Sequence, residues 1–178
     1  MYALLSELDE IAKGQIESVL KSISTECGLS VEPMKFEKHL SWLGMQDINT
    51  ERARTVVERI ARGQKPLHLH ADYLGIFPGI PVILFIGVAK NKALYQVHDS
   101  FWKGLSAWTV GTNKHYSPEL WIPHITFCMA DPTTDSVPLK YLEKLLHIPL
   151  DLDFTLASVT LTKYEDAVIE NVFEFEFK

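Results

Sequence analysis

The apolar positions of the chain divide it into strands and helices in a regular order. MYALLSEL at the start predicts a strand. From about Asp9 to Cys27, Ile11, Ile16, Val19, Leu20 and Ile23 recur near helical spacing, and Gly28 stands where a glycine ends a helix. KFEKHLSWLG predicts a second strand, closed by Gly44. Thr50 can cap a second helix with Ala53, Val56, Val57 and Ile60 on one face and Gly63 after it. PLHLHADYLGIFPGIPVILFIGVA then predicts two strands joined at Pro78-Gly79. A helix follows from about Asn91 to Trp108, its apolar side formed by Leu94, Val97, Phe101 and Leu105. The polar loop GTNKHYSPE leads into LWIPHITFCM, Leu120 to Met129, which predicts a buried strand. After DPTTDS a helix is predicted over about Val137 to His147, with Leu139, Leu142, Leu145 and Leu146. PLDLDFTLASVTLTKYEDAVIENVFEFEF closes the chain and predicts two strands around a polar turn.

The two halves repeat each other, each running helix, strand, helix, hairpin. The hairpins open alike, PLHLH from Pro66 and PLDLD from Pro149, which stand 83 residues apart. His39-Leu40-Ser41 in one predicted strand matches His124-Ile125-Thr126 in the other, 85 residues on. Two offsets so close imply duplicated lobes. No linker-like segment separates them. The expectation is therefore one bilobal domain over residues 1–178, with approximate lobes 1–90 and 91–178 and room for strands to be exchanged between them.

Composition narrows the function without naming it. The chain has 178 residues, 47% of them hydrophobic, enough for one compact domain. Its net charge of -6 argues against holding long DNA or any long polyanion by counterion release. MYALLSELDE lacks the basic start of a secretory signal, and the longest apolar run, Ile80 to Ala89, is about half of the roughly 20 residues that a membrane span needs. Cys27 and Cys128 lie far apart and make no CxxC spacing, so a reducing, cytoplasmic setting is expected, with no membrane partner.

A single H-x-[ST] triplet carries little weight, since roughly one is expected by chance in such a chain. His115-Tyr116-Ser117 fits the pattern inside a Gly/Asn/Pro-rich loop and is discounted. The other two triplets sit on apolar strands at matching places of a repeat. In a strand, residues two apart share a face, so each would turn an imidazole and a hydroxyl toward one ligand. That suits a phosphoryl group. One histidine can take a proton from water while the other protonates the departing ribose oxygen, and imidazoles titrating near pH 6.5 serve both roles. The hydroxyls can donate to the non-bridging oxygens, so no metal is required in principle.

The paired motifs His39-Leu40-Ser41-Trp42 and His124-Ile125-Thr126-Phe127 resemble those of the two-histidine (2H) phosphoesterase superfamily, which includes the bacterial 2′-5′ RNA ligase-like proteins. LGIFPGIPVILFIGVAKNKALYQVH resembles the segment preceding their second motif, and YSPELWIPHITF the motif itself with its aromatic-proline lead-in. The resemblance implies an α+β, bilobal duplicated fold: two pseudo-symmetric antiparallel sheets with flanking helices and a central cleft. It implies a metal-independent phosphodiesterase acting on 2′,3′-cyclic phosphates or 2′-5′ linkages of small RNA-like nucleotides or short RNA ends. It assigns His39 and His124 as the acid/base pair and Ser41 and Thr126 as phosphate donors, with no cofactor. Cys128-Met129-Ala130 follows the second motif where some relatives carry a basic residue. With the acidic chain, this favours a nucleotide-sized substrate and leaves a nucleotide-binding or sensing module as the alternative.

Three further readings complete the expectations. Trp42 and Phe127 alternate away from the motif residues and belong to the core. Tyr116 and Trp121, in and beside the loop before the second motif, are candidates for stacking on a base. His68, His70 and Asp72 share a strand face that could ligate a metal, but Asp151, Asp153 and Thr155 at the equivalent places point to a polar strand edge, and no metal site is assigned.

Overall fold

The computed structural model describes residues 1–27, 38–130, 143, 146, 147, 150–165 and 168–178. Ten strands and three α-helices follow the order β1 (Tyr2–Glu7), α1 (Glu10–Cys27), β2 (His39–Met45), β3 (Asp47–Ile48), α2 (Thr50–Arg62), β4 (Leu67–Phe77), β5 (Val82–Val88), α3 (Lys92–Leu105), β6 (Thr109–Val110), β7 (His124–Ala130), β8 (Leu152–Leu156), β9 (Ser158–Glu165) and β10 (Val168–Glu176) among the described residues. Gly28 and nearly all of the helix expected over Val137 to His147 lie outside the described residues. The C-terminal stretch holds three strands where two were expected. Ala157 breaks its first apolar run, and the polar turn separates β9 from β10.

Eight strands form one antiparallel sheet in the order β10-β9-β1-β2-β7-β5-β4-β8. Its two four-stranded halves meet at the centre, where β2 and β7 pair through Leu40 and Ile125. The halves do not follow the chain. The hairpin β4–β5 lies with β7, while β9–β10 returns to join β1 and β2. PLHLH and PLDLD are consequently ladder partners, Leu69 opposite Phe154 and His70 opposite Asp153, rather than symmetry equivalents. The second sheet, β3 with β6, ties the end of β2 to the segment after α3.

One face of the large sheet is covered by helices. α1 packs near β8, α3 on β2, and α2 on α3, β9 and β10. The apolar stripes account for this packing. Leu94, Val97, Phe101 and Leu105 of α3 are all buried, as are Ala53, Val57 and Ala61 of α2. In α1 it is Ala12 and Ile16 that are buried, whereas Ile11 points into solvent at 75% exposure. The caps of α2 and α3 are Asn49 and Asn91, whose side chains accept from the amides of Arg52 and Leu94. Thr50, expected as a cap, is the first helical residue.

Each central strand carries a bulge at the same place. Leu4 and Leu5 of β1 face Leu43 and Ser41, so Trp42 is an extra residue; Leu84 and Phe85 of β5 face Cys128 and Thr126, so Phe127 is another. A bulge bends its strand and re-aims the neighbouring side chains. Both bulged residues bury their rings, and Trp42, completely buried, packs against Phe101 and Trp121. The Trp42 indole nitrogen donates to Ser6 Oγ at 2.8 Å, which satisfies its polar atom inside the core.

Candidate active site

The pairing of Leu40 with Ile125 decides where the two motifs lie. Both side chains are fully buried on the helix-covered face. Side chains alternate along a strand, so His39 and Ser41 of β2 and His124 and Thr126 of β7 emerge on the opposite face, beside one another across the central seam. Antiparallel register through that pair sets Ser41 across from His124 and His39 across from Thr126. All four are half-buried. The sequence-expected acid/base and hydroxyl residues are thereby brought together.

His124 is held on three sides. Its Nδ1 lies 2.7 Å from the carbonyl of Ile122, to which Nδ1–H donates, leaving Nε2 as the nitrogen with the lone pair. Phe77 meets the imidazole edge-on at 5.0 Å between ring centroids, Phe85 meets it at a tilt at 5.1 Å, and these two phenyl rings stack on each other. Burial pushes the His124 pKa below its usual value, with the Ile122 carbonyl acting in the other direction. The neutral imidazole is favoured.

Ser41 is fixed by the loop that precedes β7. The Tyr116 hydroxyl hydrogen-bonds the Ser41 side chain, and the indole Nε1–H of Trp121 donates to the Ser41 carbonyl at 3.2 Å. Tyr116 packs closely against Gly44, where an added Cβ would come within 3.0 Å of its ring. The loop is itself fastened: the Asn113 amide donates to the Gly44 carbonyl, and Lys90 Nζ donates to the carbonyls of Pro118 and Trp121 at 3.2 Å each.

Trp121 and Tyr116 therefore differ from the stacking role expected of them. Trp121 is 3% exposed, with Trp42 and His98 packed on it; His98 is near parallel at 6° and 3.8 Å. No open indole face remains for a base. Tyr116 is half-buried and its hydroxyl is engaged with Ser41. The aromatic residues packed on His124 are Phe77 and Phe85, and Tyr73 lies over Gly87 in the same cross-strand row. The signal for them lay in YLGIF and LFIG, where glycines alternate with aromatics on one face.

The rival cluster is redistributed by the β4–β8 ladder. His68 Nδ1 lies 2.9 Å from Thr155 Oγ1, and His70 Nδ1 lies 2.9 Å from Asp153 Oδ1 and 3.8 Å from Asp151 Oδ1. Asp72, an extra residue at a third bulge, is 3.7 Å from His70 Nε2. The hydrogen bond to Asp153 raises the His70 pKa. The trio able to hold a metal is His70, Asp151 and Asp153, whose ligand atoms all lie within 4.8 Å of one another. An open groove of about 350 Å³ runs past His68, His70, Asp9 and Asn91.

Comparison with known proteins places this geometry. The family model of the 2′-5′ RNA ligase superfamily matches residues 34–167, spanning both motifs. The chain belongs to that superfamily. As a 2H phosphoesterase-type protein it shares its fold with TT0787 of Thermus thermophilus, at a TM-score of 0.70 and 14% identity over 99% of this chain and 97% of that one. It is also similar to Escherichia coli LigT in apo form, with a TM-score of 0.68 and 14% identity over 98% and 95% of the two chains. Usb1 of Kluyveromyces marxianus aligns at a TM-score of 0.53 and 16% identity, over 96% of each chain. LigT has been solved with 3′-AMP, NADP+ and ATP. No curated protein matches the sequence. Among the described residues, no helix of this superfamily member is long and apolar enough to cross a membrane.

Proposed function

We propose that the protein is a cytoplasmic, metal-independent phosphodiesterase acting on 2′,3′-cyclic phosphates or 2′-5′ linkages of small nucleotides or short RNA ends. The observation that carries this reading is the convergence of His39, Ser41, His124 and Thr126 about the Leu40–Ile125 pair, in a chain of the 2′-5′ RNA ligase superfamily. The 3′-AMP complex of LigT, a protein of the same fold, supports a nucleotide-sized ligand. The whole chain acts as one bilobal unit, since the strands supplying the site come from both halves of the sequence.

For a cyclic phosphate the steps balance without a further reagent. Water attacks phosphorus, and its proton passes to Nε2 of His124, whose Nδ1–H is already committed to the Ile122 carbonyl. The bond from phosphorus to one ribose oxygen breaks, and His39 gives that oxygen its proton. The hydroxyls of Ser41 and Thr126, one from each strand, donate to the non-bridging oxygens as charge builds on them. Reversing the orientation of the substrate exchanges the two histidines.

A panel of 2′,3′-cyclic nucleotides and 2′-5′ dinucleotides, with products identified by chromatography, tests the reading. Turnover of at least one class is expected, unchanged after dialysis against EDTA. Strong loss on chelation would instead move the chemistry to His70, Asp151 and Asp153. The acidic chain and Cys128-Met129-Ala130 after the second motif favour a nucleotide-sized ligand and leave a nucleotide sensor as the alternative. Tight calorimetric binding of AMP with no product from any substrate would establish it.

A further inference from the structure

We propose that Tyr73 is the platform on which the nucleobase of the substrate stacks. This inference rests on the reading of the seam as a nucleotide phosphate site and assigns the base a place within it.

Tyr73, Gly87 and His124 form one row across three strands, Tyr73 opposite Gly87 in β4–β5 and Gly87 opposite His124 in β5–β7. Residues directly opposite in an antiparallel ladder point to the same face, so Tyr73 projects on the face that carries the motifs. Its ring leans over Gly87 toward His124. A Cβ at Gly87 would overlap the Tyr73 ring, so only glycine lets the phenol lie down there. The next row runs the other way: Gly75 of β4 lies under the ring of Phe85, which faces Thr126.

Tyr73 stands two strand spacings, roughly 10 Å, from His124 in their shared row, and its ring, lying over Gly87, covers about one of them. Tyr73 is 44% exposed although one side of its ring rests on the sheet. The other side is open. Phe85, at 4% exposure, and Trp121, at 3%, have no such free face. A nucleotide with its phosphate between His124 and His39 extends its ribose and base along this row. Stacking on an open aromatic face tolerates every base, so the platform admits purines and pyrimidines alike.

The test compares adenosine 3′-phosphate with its base-free counterpart, 1-O-methylribose 3-phosphate, by calorimetry on the wild-type, Tyr73→Ala and Tyr73→Phe proteins. Tyr73→Ala is expected to weaken adenosine 3′-phosphate about tenfold, the order of one lost base–aromatic stack, and to leave the base-free ligand unchanged. Tyr73→Phe, which keeps the ring, is expected to bind both as the wild type does. Equal weakening of the two ligands in Tyr73→Ala would overturn the platform, as would an unchanged affinity for adenosine 3′-phosphate or its failure to bind the wild type. Failure of the catalytic reading is distinguishable: no substrate would then turn over, while the Tyr73-dependent difference between the two ligands persisted.

Discussion

Leu40 of β2 lies directly opposite Ile125 of β7, and both side chains are completely buried. That pair sets the register of the two strands, and it turns two short sequence motifs into one site. A shift of one residue in this register would send an imidazole into the core and a leucine into the cleft. The burial of the pair, with the bulges at Trp42 and Phe127 on either side, makes such a slip costly.

From this follows the behaviour of the two histidine variants. His39→Ala and His124→Ala should each lower turnover by about 10²–10⁴-fold, the range of a lost general acid or base. Both side chains are half-buried and outside the core, so circular dichroism and the thermal midpoint should stay near wild type. A double variant with undiminished activity would place the chemistry elsewhere.

The pH profile should report the environment of His124. As a base it must be neutral, and burial lowers its pKa, so the acid limb of kcat/KM should fall below pH 6.5 rather than at it. Phe77→Ala opens the imidazole to water and should move that limb upward. If the limb stays where it is in this variant, desolvation by the aromatic pair is not its cause.

Most of the candidate site was legible in the sequence because its residues follow a short strand period on a repeated element. His39, Ser41, His124 and Thr126 could be read from alternation together with the repeat of the triplet and the resemblance of the paired motifs to a known family. The strands that flank them could not be ordered in this way, because PLHLH and PLDLD look alike whether they are symmetry mates or ladder partners. Only the closing of the sheet makes His70 and Asp153 neighbours. Tyr116 and Trp121 were visible as aromatics near the motif, but their orientation depends on the anchors from Lys90 and to Gly44 and Ser41, which are distant in sequence. Tyr73 was hidden for a similar reason: its open face follows from the pairing with Gly87.

Tyr116 should act on the rate through Ser41. Tyr116→Phe keeps the ring against Gly44 and removes the hydroxyl that bonds the Ser41 side chain. A loss of roughly 1 kcal/mol of transition-state stabilisation, about five- to tenfold in kcat with little change in KM, is the expected scale for one hydrogen bond. In a Ser41→Ala background the same change should have almost no further effect. Additive losses in that double variant would show that Tyr116 works independently of Ser41.

His98 should make the fold sensitive to acid. Its side chain is fully buried on α3 and stacked on Trp121, and neither ring nitrogen completes a hydrogen bond. Burial, reinforced by the Lys90 ammonium, holds its pKa at about 4, although the carbonyls of Tyr116 and Trp42 nearby favour the protonated ring. Between pH 6.5 and about 4 the unfolded chain takes up a proton at this position and the folded chain does not, so acidification favours unfolding. About 3 kcal/mol of stability is lost progressively as the pH falls through that window, and none of it is lost above pH 6.5. His98→Phe retains a flat ring against Trp121 and has nothing to titrate. Urea denaturation at pH 7, 5.5 and 4.5 should therefore show the wild type losing stability faster than the variant, since exposed carboxylates contribute equally to both. Parallel loss in the two proteins would mean that His98 is protonated without cost in the native state. Because Trp121 also donates to the Ser41 carbonyl, protonating His98 should disturb Ser41 at the same pH, and turnover in the His98→Phe variant should persist to more acidic conditions than in the wild type.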